Sequence, residues 1–150
     1  VLAKNEDLGS FLAPNMLLTP HIIEMSRLIG KDTKYISEHM EEVAKDFSRQ
    51  NHTNIILKAH ESIIACVDES VYLSNFGSSA MAKGGSGDIL TGVIAGLSAL
   101  NFDIIKAARY ACLIHGSSGS MASKIKGEHG VLARDIIECI PEVMKDYMLS

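Results

Sequence analysis

The residues best suited to chemistry lie in one run, Lys83-Gly-Gly-Ser-Gly-Asp88, directly before an apolar stretch of helical character. A glycine-rich turn at a helix N-terminus exposes several backbone N–H groups and adds the positive end of the helix dipole, which together make an anion site. Glycine is needed there because a Cβ would block the approach of phosphate oxygens, and because such turns often require positive φ. Gly84, Gly85, Ser86 and Gly87 are therefore the candidate anion hole. Asp88 falls in the first helical turn, beside the place where a transferred phosphoryl group would be held. A carboxylate there can accept the proton of an attacking hydroxyl. On spacing alone two readings of Asp88 stay open: a base for phosphoryl transfer to an alcohol, or a simple helix cap on a flexible turn.

Histidines supply the next candidates. His21, in Leu18-Thr-Pro-His-Ile-Ile-Glu-Met25, stands at the start of a helix that should itself begin at the C-terminal end of a strand. Ligands of open α/β sheets bind at those ends. His21 is either a donor to substrate there or an ordinary exposed or core-satisfied histidine. His60, in Lys58-Ala-His-Glu-Ser62, also follows a predicted strand, whereas His39, His52 and His129 sit in polar segments and are assigned no function. His115, in Ile114-His-Gly116, reads as a buried, hydrogen-bonded helix residue. Glu24 is either an acid behind the site or a solvated helix residue. No spacing of His, Cys and Asp supplies a metal-ligand set, and Met16, Met25, Met40 and Met81 read as core filling.

These residues need elements to position them. Met16, Leu17 and Leu18 suggest a brief buried strand, and Thr19-Pro20 then opens a helix over about His21 to Ile29, with Thr19 as N-cap and Gly30 at its end. Ile36, Met40, Val43, Ala44 and Phe47 recur at helical spacing between Lys31 and Asn51, which predicts one amphipathic helix. Three β-like runs follow, at residues 54–59, 62–67 and 71–76. The first is a continuous apolar run and so the candidate parallel strand; the last two, joined by Asp68-Glu-Ser70, look like a hairpin. An apolar helix from about Asp88 to Leu100 comes next, then one from about Asp103 whose Ala107, Ala108, Ala111, Gly116 and Gly119 allow close helix packing. The last helix starts near Leu132 and is expected to break or bend near Pro141. Helices and strands in this alternation predict an α/β layered fold with a mixed sheet.

Bulk properties narrow the function classes. A chain of 150 residues, 47% apolar, can bury one core, and length alone suggests one domain. A net charge of −4 gives no global basic field, so nucleic acid is discounted as a partner. The stretch Ile89 to Leu100 is interrupted by Thr91, Gly92, Gly96 and Ser98 and is too short to span a bilayer, so no membrane partner is expected. Cys66, Cys112 and Cys139 are widely spaced in apolar contexts and form no disulfide framework, which fits a cytoplasmic location. The sequence opens Val-Leu-Ala-Lys with neither an initiator Met nor a signal peptide, as expected of a piece of something longer.

Taken together, Leu18-Thr-Pro-His-Ile-Ile-Glu-Met25, Ile56-Leu-Lys-Ala-His-Glu-Ser62 and Met81-Ala-Lys-Gly-Gly-Ser-Gly-Asp-Ile-Leu-Thr-Gly-Val-Ile-Ala-Gly96 resemble the ordered motifs of the NAD(P)H-hydrate dehydratases, in the ribokinase-like superfamily. The resemblance runs from about Leu17 to Pro141. It implies a ribokinase-like three-layer α/β/α fold with a mixed, mainly parallel sheet. Residues 1–150 would be the C-terminal part of the domain, incomplete because the N-terminal half is absent. The implied reaction is repair: ADP or ATP, accompanied by Mg2+, drives loss of water from hydrated NADH or NADPH (NADHX, NADPHX). Asp88 would help deprotonate the ring hydroxyl, and Asp88 and His21 would contact the hydrate. Lys58, Ala59, His60, Glu61, Ser62 and Gly87 would contact the nucleotide, and the amides of Gly84 to Gly87 would stabilise charge on the moving phosphoryl group. The resemblance also implies a homo-oligomer, a tetramer in many members.

This sequence departs from the family at three places. Lys58-Ala59 stands where Lys-Gly is usual, Ser78-Ser79-Ala80 replaces Asn-Pro-Gly ahead of the glycine turn, and Lys83 replaces a frequent Thr and could add a phosphate contact. With an upstream half of parallel strands missing, the isolated chain is expected to show weak or no turnover. Two other classes share the glycine turn: a small-molecule kinase of the same superfamily acting on a vitamin-precursor alcohol, and a noncatalytic α/β binding module. Thr19-Pro20-His21 favours the dehydratase over the kinase.

Overall fold

The computed structural model describes residues 8–76, 81 and 84–148; Ser78, Ser79, Ala80 and Lys83 lie outside them. The chain forms two compact units, Val1–Leu73 and Ser74–Ser150.

The first unit is built on a continuous apolar strand. β2 (Asn54–Leu57) is buried along its whole length, and it pairs in parallel with β1 (Leu17–Leu18) and antiparallel with β3 (Ser62–Ala65). The sheet order is β1-β2-β3-β4, with β4 at Val71–Ser74, so the expected mixed sheet forms. β3 and β4 are joined by a tight turn in which Ser70 C=O accepts from Cys66 N–H at 3.0 Å, the expected hairpin. Ile55 and Leu57 bury one face of β2 against Met25 of α1 (Ile22–Ile29), Ile36 of α2 (Thr33–Glu38) and Val43, Ala44 and Phe47 of α3 (Met40–Asn51). Those residues match the predicted helical stripe.

Two expectations for these helices are corrected. The amphipathic stretch is two helices, because His39 leaves the helical region (φ −131°) and its ring stacks on Tyr35, with Nδ1 2.9 Å from Tyr35 O. The N-cap of α1 is His21 rather than Thr19, because Pro20 and His21 still run as strand beside β2: Pro20 C=O accepts from Lys58 N–H at 2.8 Å, and His21 bridges Lys58 in parallel. Gly30 closes α1 in the left-handed conformation (φ 67°), as expected.

Asn54 ties the unit together. Its side-chain amide donates to Pro14 O (2.7 Å) and Met16 O (2.9 Å), while its Oδ1 accepts from Val67 N–H (3.2 Å). One buried side chain therefore fixes the entry to β1 and the exit from β3, which explains a polar residue opening an apolar strand.

The second unit is helical. α4 (Ser86–Ala99) begins at Ser86, so Asp88 is its third residue; α5 (Ile104–Lys126) is capped by Asp103, whose carboxylate accepts from Lys106 N–H at 2.9 Å. α6 (Ala133–Met148) runs unbroken through Pro141, so of the expected break or bend the break does not occur. Pro141 and Ile137 one turn before it are both exposed, so water can satisfy the carbonyl left without its donor. The three helices pack on one another around Ile89, Ala122, Val131, Ile136 and Cys139. Gly116 and Gly119 of α5 allow close approach of the segment before α4 rather than of another helix: a Cβ on Gly116 would collide with the backbone carbonyl of Phe76, and one on Gly119 with the side chain of Met81. Cys112 is buried in this unit, and burial pushes its thiol pKa up to about 11, which marks it as an inert packing residue.

Asn54→Ala removes three hydrogen bonds between a buried side chain and the backbone and should lower the unfolding free energy by about 2–3 kcal/mol. Urea unfolding of the two proteins side by side measures this. Asn54→Asp, which cannot donate to Pro14 or Met16, should lose at least as much, and an unchanged midpoint for both variants would show that these bonds do not form in solution.

Candidate functional site

The candidate residues fall in both units, each with its own local geometry. In the first unit, β1 and β2 keep a single parallel register from Leu17–Asn54 through Leu18–Ile55 to the His21–Lys58 bridge. That register brings His21 and Lys58 side by side at the carboxyl ends of two parallel strands, the edge where α/β sheets place ligands. Lys58, Ala59, His60, Glu61 and Ser62 form the tip of the β2–β3 hairpin, with Ala59, His60 and Glu61 exposed. Ala59 is not among the non-glycine residues with positive φ, which are His52, Glu69 and Asn101 among the described residues. The alanine that replaces the usual glycine is therefore accommodated without backbone strain.

His21 has a local task. Its Nδ1 accepts from Glu24 N–H at 3.1 Å, and the Glu24 carboxylate accepts in return from His21 N–H at 2.9 Å, a reciprocal capping box. Nε2 stands 3.5 Å from the same carboxylate, and both side chains are about half exposed, 49% each. The imidazole is thus held at the sheet edge with Nε2 facing solvent and Glu24. Glu24 thus stands behind His21 and holds its ring, while remaining half exposed.

In the second unit the glycine turn has the form expected of it. Gly85 takes φ +89°, and a Cβ there would also press on the Ala133 side chain at 3.3 Å, so both torsion and space demand glycine. No side chain caps α4, whereas α1, α2 and α5 are capped by His21, Asp32 and Asp103. The first helical bond of α4 is Ile89 N–H to Gly85 O at 3.2 Å. The amides of Ser86, Gly87 and Asp88 precede it, and among the described residues no acceptor engages them. Asp88 is exposed, and among the described residues no hydrogen bond or ion pair engages its carboxylate. Asp88 makes no capping hydrogen bond to its helix among the described residues. Ser86 is buried, and its Oγ lies 3.0 Å from Nε2 of the buried His115 on α5.

From Gly85 and Asp88 an open apolar groove of about 770 Å³ runs between α4 and α6, past Gly92, Gly96 and Leu100 on one side and Ile137, Ile140 and Met144 on the other. Among the described residues no three His, Cys, Asp or Glu side chains gather as a metal site, and no helix is long and apolar enough to cross a membrane. What the second unit offers chemically is a cluster of free backbone donors beside an unpaired carboxylate, suited to an anionic group next to a proton acceptor.

Comparison with known proteins bears on what that anion is. The family model described as NAD(P)H-hydrate dehydratase matches residues 1–142. The chain is 35% identical over 131 residues to the bifunctional NAD(P)H-hydrate repair enzyme Nnr of Moorella thermoacetica, covering 87% of this chain and 25% of that protein. It is 33% identical over 132 residues to the ADP-dependent (S)-NAD(P)H-hydrate dehydratase of Bacillus subtilis, covering 88% of this chain and 48% of the relative. The crystal structure of the Bacillus subtilis ADP/ATP-dependent NAD(P)H-hydrate dehydratase co-crystallised with ATP and Mg2+ superimposes with a TM-score of 0.84 at 31% identity, over 90% of this chain and 52% of that one. The chain thus spans about a quarter of the bifunctional relative and about half of the shorter one.

The capping role of His21 is separable from any role toward a ligand. His21→Ala should cost about 1 kcal/mol of stability, and His21→Asn, a good cap, should restore most of it. Thermal melts of the three proteins report the difference; equal melting temperatures would mean that the capping box is not formed.

Proposed function

The chain belongs to the NAD(P)H-hydrate dehydratase family, with its ribokinase-like α/β fold, and from that premise we propose that it serves the nucleotide-dependent dehydration of hydrated NADH or NADPH, as the C-terminal part of that domain. The observation that carries this reading is the uncapped start of α4, where among the described residues no acceptor engages the amides of Ser86 to Asp88 and no partner engages the Asp88 carboxylate beside them. Family membership names the reaction; the turn supplies its chemistry.

The hydroxyl of the hydrated ring attacks the terminal phosphorus of ADP or ATP, AMP or ADP leaves with the electrons of the bridging P–O bond, and Asp88 takes the hydroxyl proton as the new O–P bond forms. The amides of Gly84 to Gly87 hold the phosphoryl oxygens and stabilise the charge that grows on them, at no cost of reorganisation because the turn is already built. Phosphate then leaves with the electrons of the C–O bond, and loss of a proton from the neighbouring ring carbon restores the double bond. His21, held by its capping box, contacts the hydrate, and Lys58 to Ser62 with Gly87 contact the nucleotide. Magnesium would come with the nucleotide: such ions keep most of their waters and need few protein ligands, and no dedicated cage is present among the described residues. The ion neutralises phosphate charge when bound. The same reading puts the protein at work in the cytoplasm, as a homo-oligomer.

Asp88→Asn keeps the shape of the turn and removes the proton acceptor. In the longest natural chain that carries these residues, it should lower kcat by about 10²–10⁴-fold and change the KM for ADP or ATP far less. The assay follows the return of reduced-nicotinamide absorbance from hydrated NADH. A variant with unchanged kcat would remove Asp88 from the chemistry, and a protein that turns over no hydrate with either nucleotide would remove the reaction itself.

A further inference from the structure

The anion turn is held in place by a contact that no local sequence pattern announces. Ser86, the first residue of α4, is 5% exposed, and its Oγ meets Nε2 of His115 in the middle of α5, itself 9% exposed. Around this pair the turn is gripped on other sides as well. Gly116, next to His115, lets α5 lie against the backbone of Phe76, Gly119 does the same for Met81, and Ala133 of α6 closes on Gly85. Each of those contacts is steric. Among the described residues the Ser86–His115 hydrogen bond is directional, and burying that pair away from water carries a cost that an apolar pair of like volume would avoid. A directional bond at the first helical residue does what apolar packing cannot: it sets the rotation of the first turn of α4 about its axis, and so the direction of the amides of Ser86, Gly87 and Asp88.

We propose that His115 is a positioning residue for the anion turn, acting through Ser86. The inference rests on the reading of that turn as a phosphoryl site given above. His115 touches no substrate. Its Nε2 holds Ser86 Oγ, the hydroxyl holds the first turn, and the first turn aims three backbone donors at one point. Without the pair, the amides remain but point less uniformly, so the loss appears in anion binding rather than in folding alone.

The test uses the 150-residue chain with isotope-labelled backbone amides, titrated with ADP and followed by NMR. In the native chain the amide signals of Ser86, Gly87 and Asp88 should move and saturate. Ser86→Ala, a small change, and His115→Ala should each weaken that binding by about tenfold, which corresponds to about 1.4 kcal/mol. The double variant should be no weaker than either single one, since both break the same link. His115→Gln, whose amide reaches about as far as Nε2, should recover most of the affinity, which a purely space-filling role would not require. Binding that stays native in Ser86→Ala and His115→Ala while their melting temperatures fall would overturn the proposal and leave the anion site standing. Amides that do not move in the native chain would overturn the anion site, and the proposal with it. Should His115→Ala fail to fold, Ser86→Ala and His115→Gln decide the matter by the same criteria.

Discussion

Everything in the second unit turns on one backbone torsion. Gly85 at φ +89° swings the chain into α4 without leaving room or need for a capping side chain, and it can do so only because no Cβ stands against Ala133. The consequence is a helix that starts with unpaired donors. Three helices avoid that, since α1, α2 and α5 spend a His or an Asp to satisfy their first turns, whereas α3, like α4, has no side-chain cap. An uncapped start costs stability in the free protein, of the order of 1 kcal/mol. It keeps the donors available, and the packing of α5 and α6 around the turn keeps them fixed.

The first unit solves a different positioning problem with register. Because β1 and β2 stay in step from Leu17–Asn54 to His21–Lys58, the Thr-Pro-His segment and the Lys58 hairpin tip reach the same sheet edge together. Asn54 sets that register at the other end of the strand by bonding to Pro14, Met16 and Val67. A slip of one residue would turn Ile55 and Leu57 away from the helices and strand the Asn54 amide in an apolar core. Stability and site geometry therefore share a cause in this unit: the bonds that fix the strands also decide where His21 and Lys58 stand.

How much of this the sequence could tell depended on whether the signal was local. The apolar run 54–57, the hairpin at Cys66–Ser70, the stripe from Ile36 to Phe47 and the glycine turn were all legible, because each is written in neighbouring residues. His115 was legible as buried and hydrogen-bonded, but its partner Ser86 lies 29 residues away on another helix, and no spacing rule reaches that far. The cap of α1 was misread because Thr19-Pro20 has the right composition for a helix start, while the pairing of Pro20 and His21 with Lys58 holds those residues in the strand. The break at His39 was hidden for a similar reason: the apolar period carries across it, and only the stacking of His39 on Tyr35 shows where the helix stops. Pro141 does not break α6 because it lies on an exposed helix face, where water can bond the carbonyl that the missing N–H leaves free.

The central claim is that the Gly84–Asp88 turn is a preformed phosphate site. Calorimetric titration of ADP into the native chain and into Gly85→Ala tests it most directly, because the added methyl group strains the torsion and pushes on Ala133 without touching a charge. The account expects the native chain to bind ADP and the variant to lose affinity by at least about tenfold while its far-ultraviolet circular dichroism stays native. Equal affinities in a variant that remains folded would contradict it.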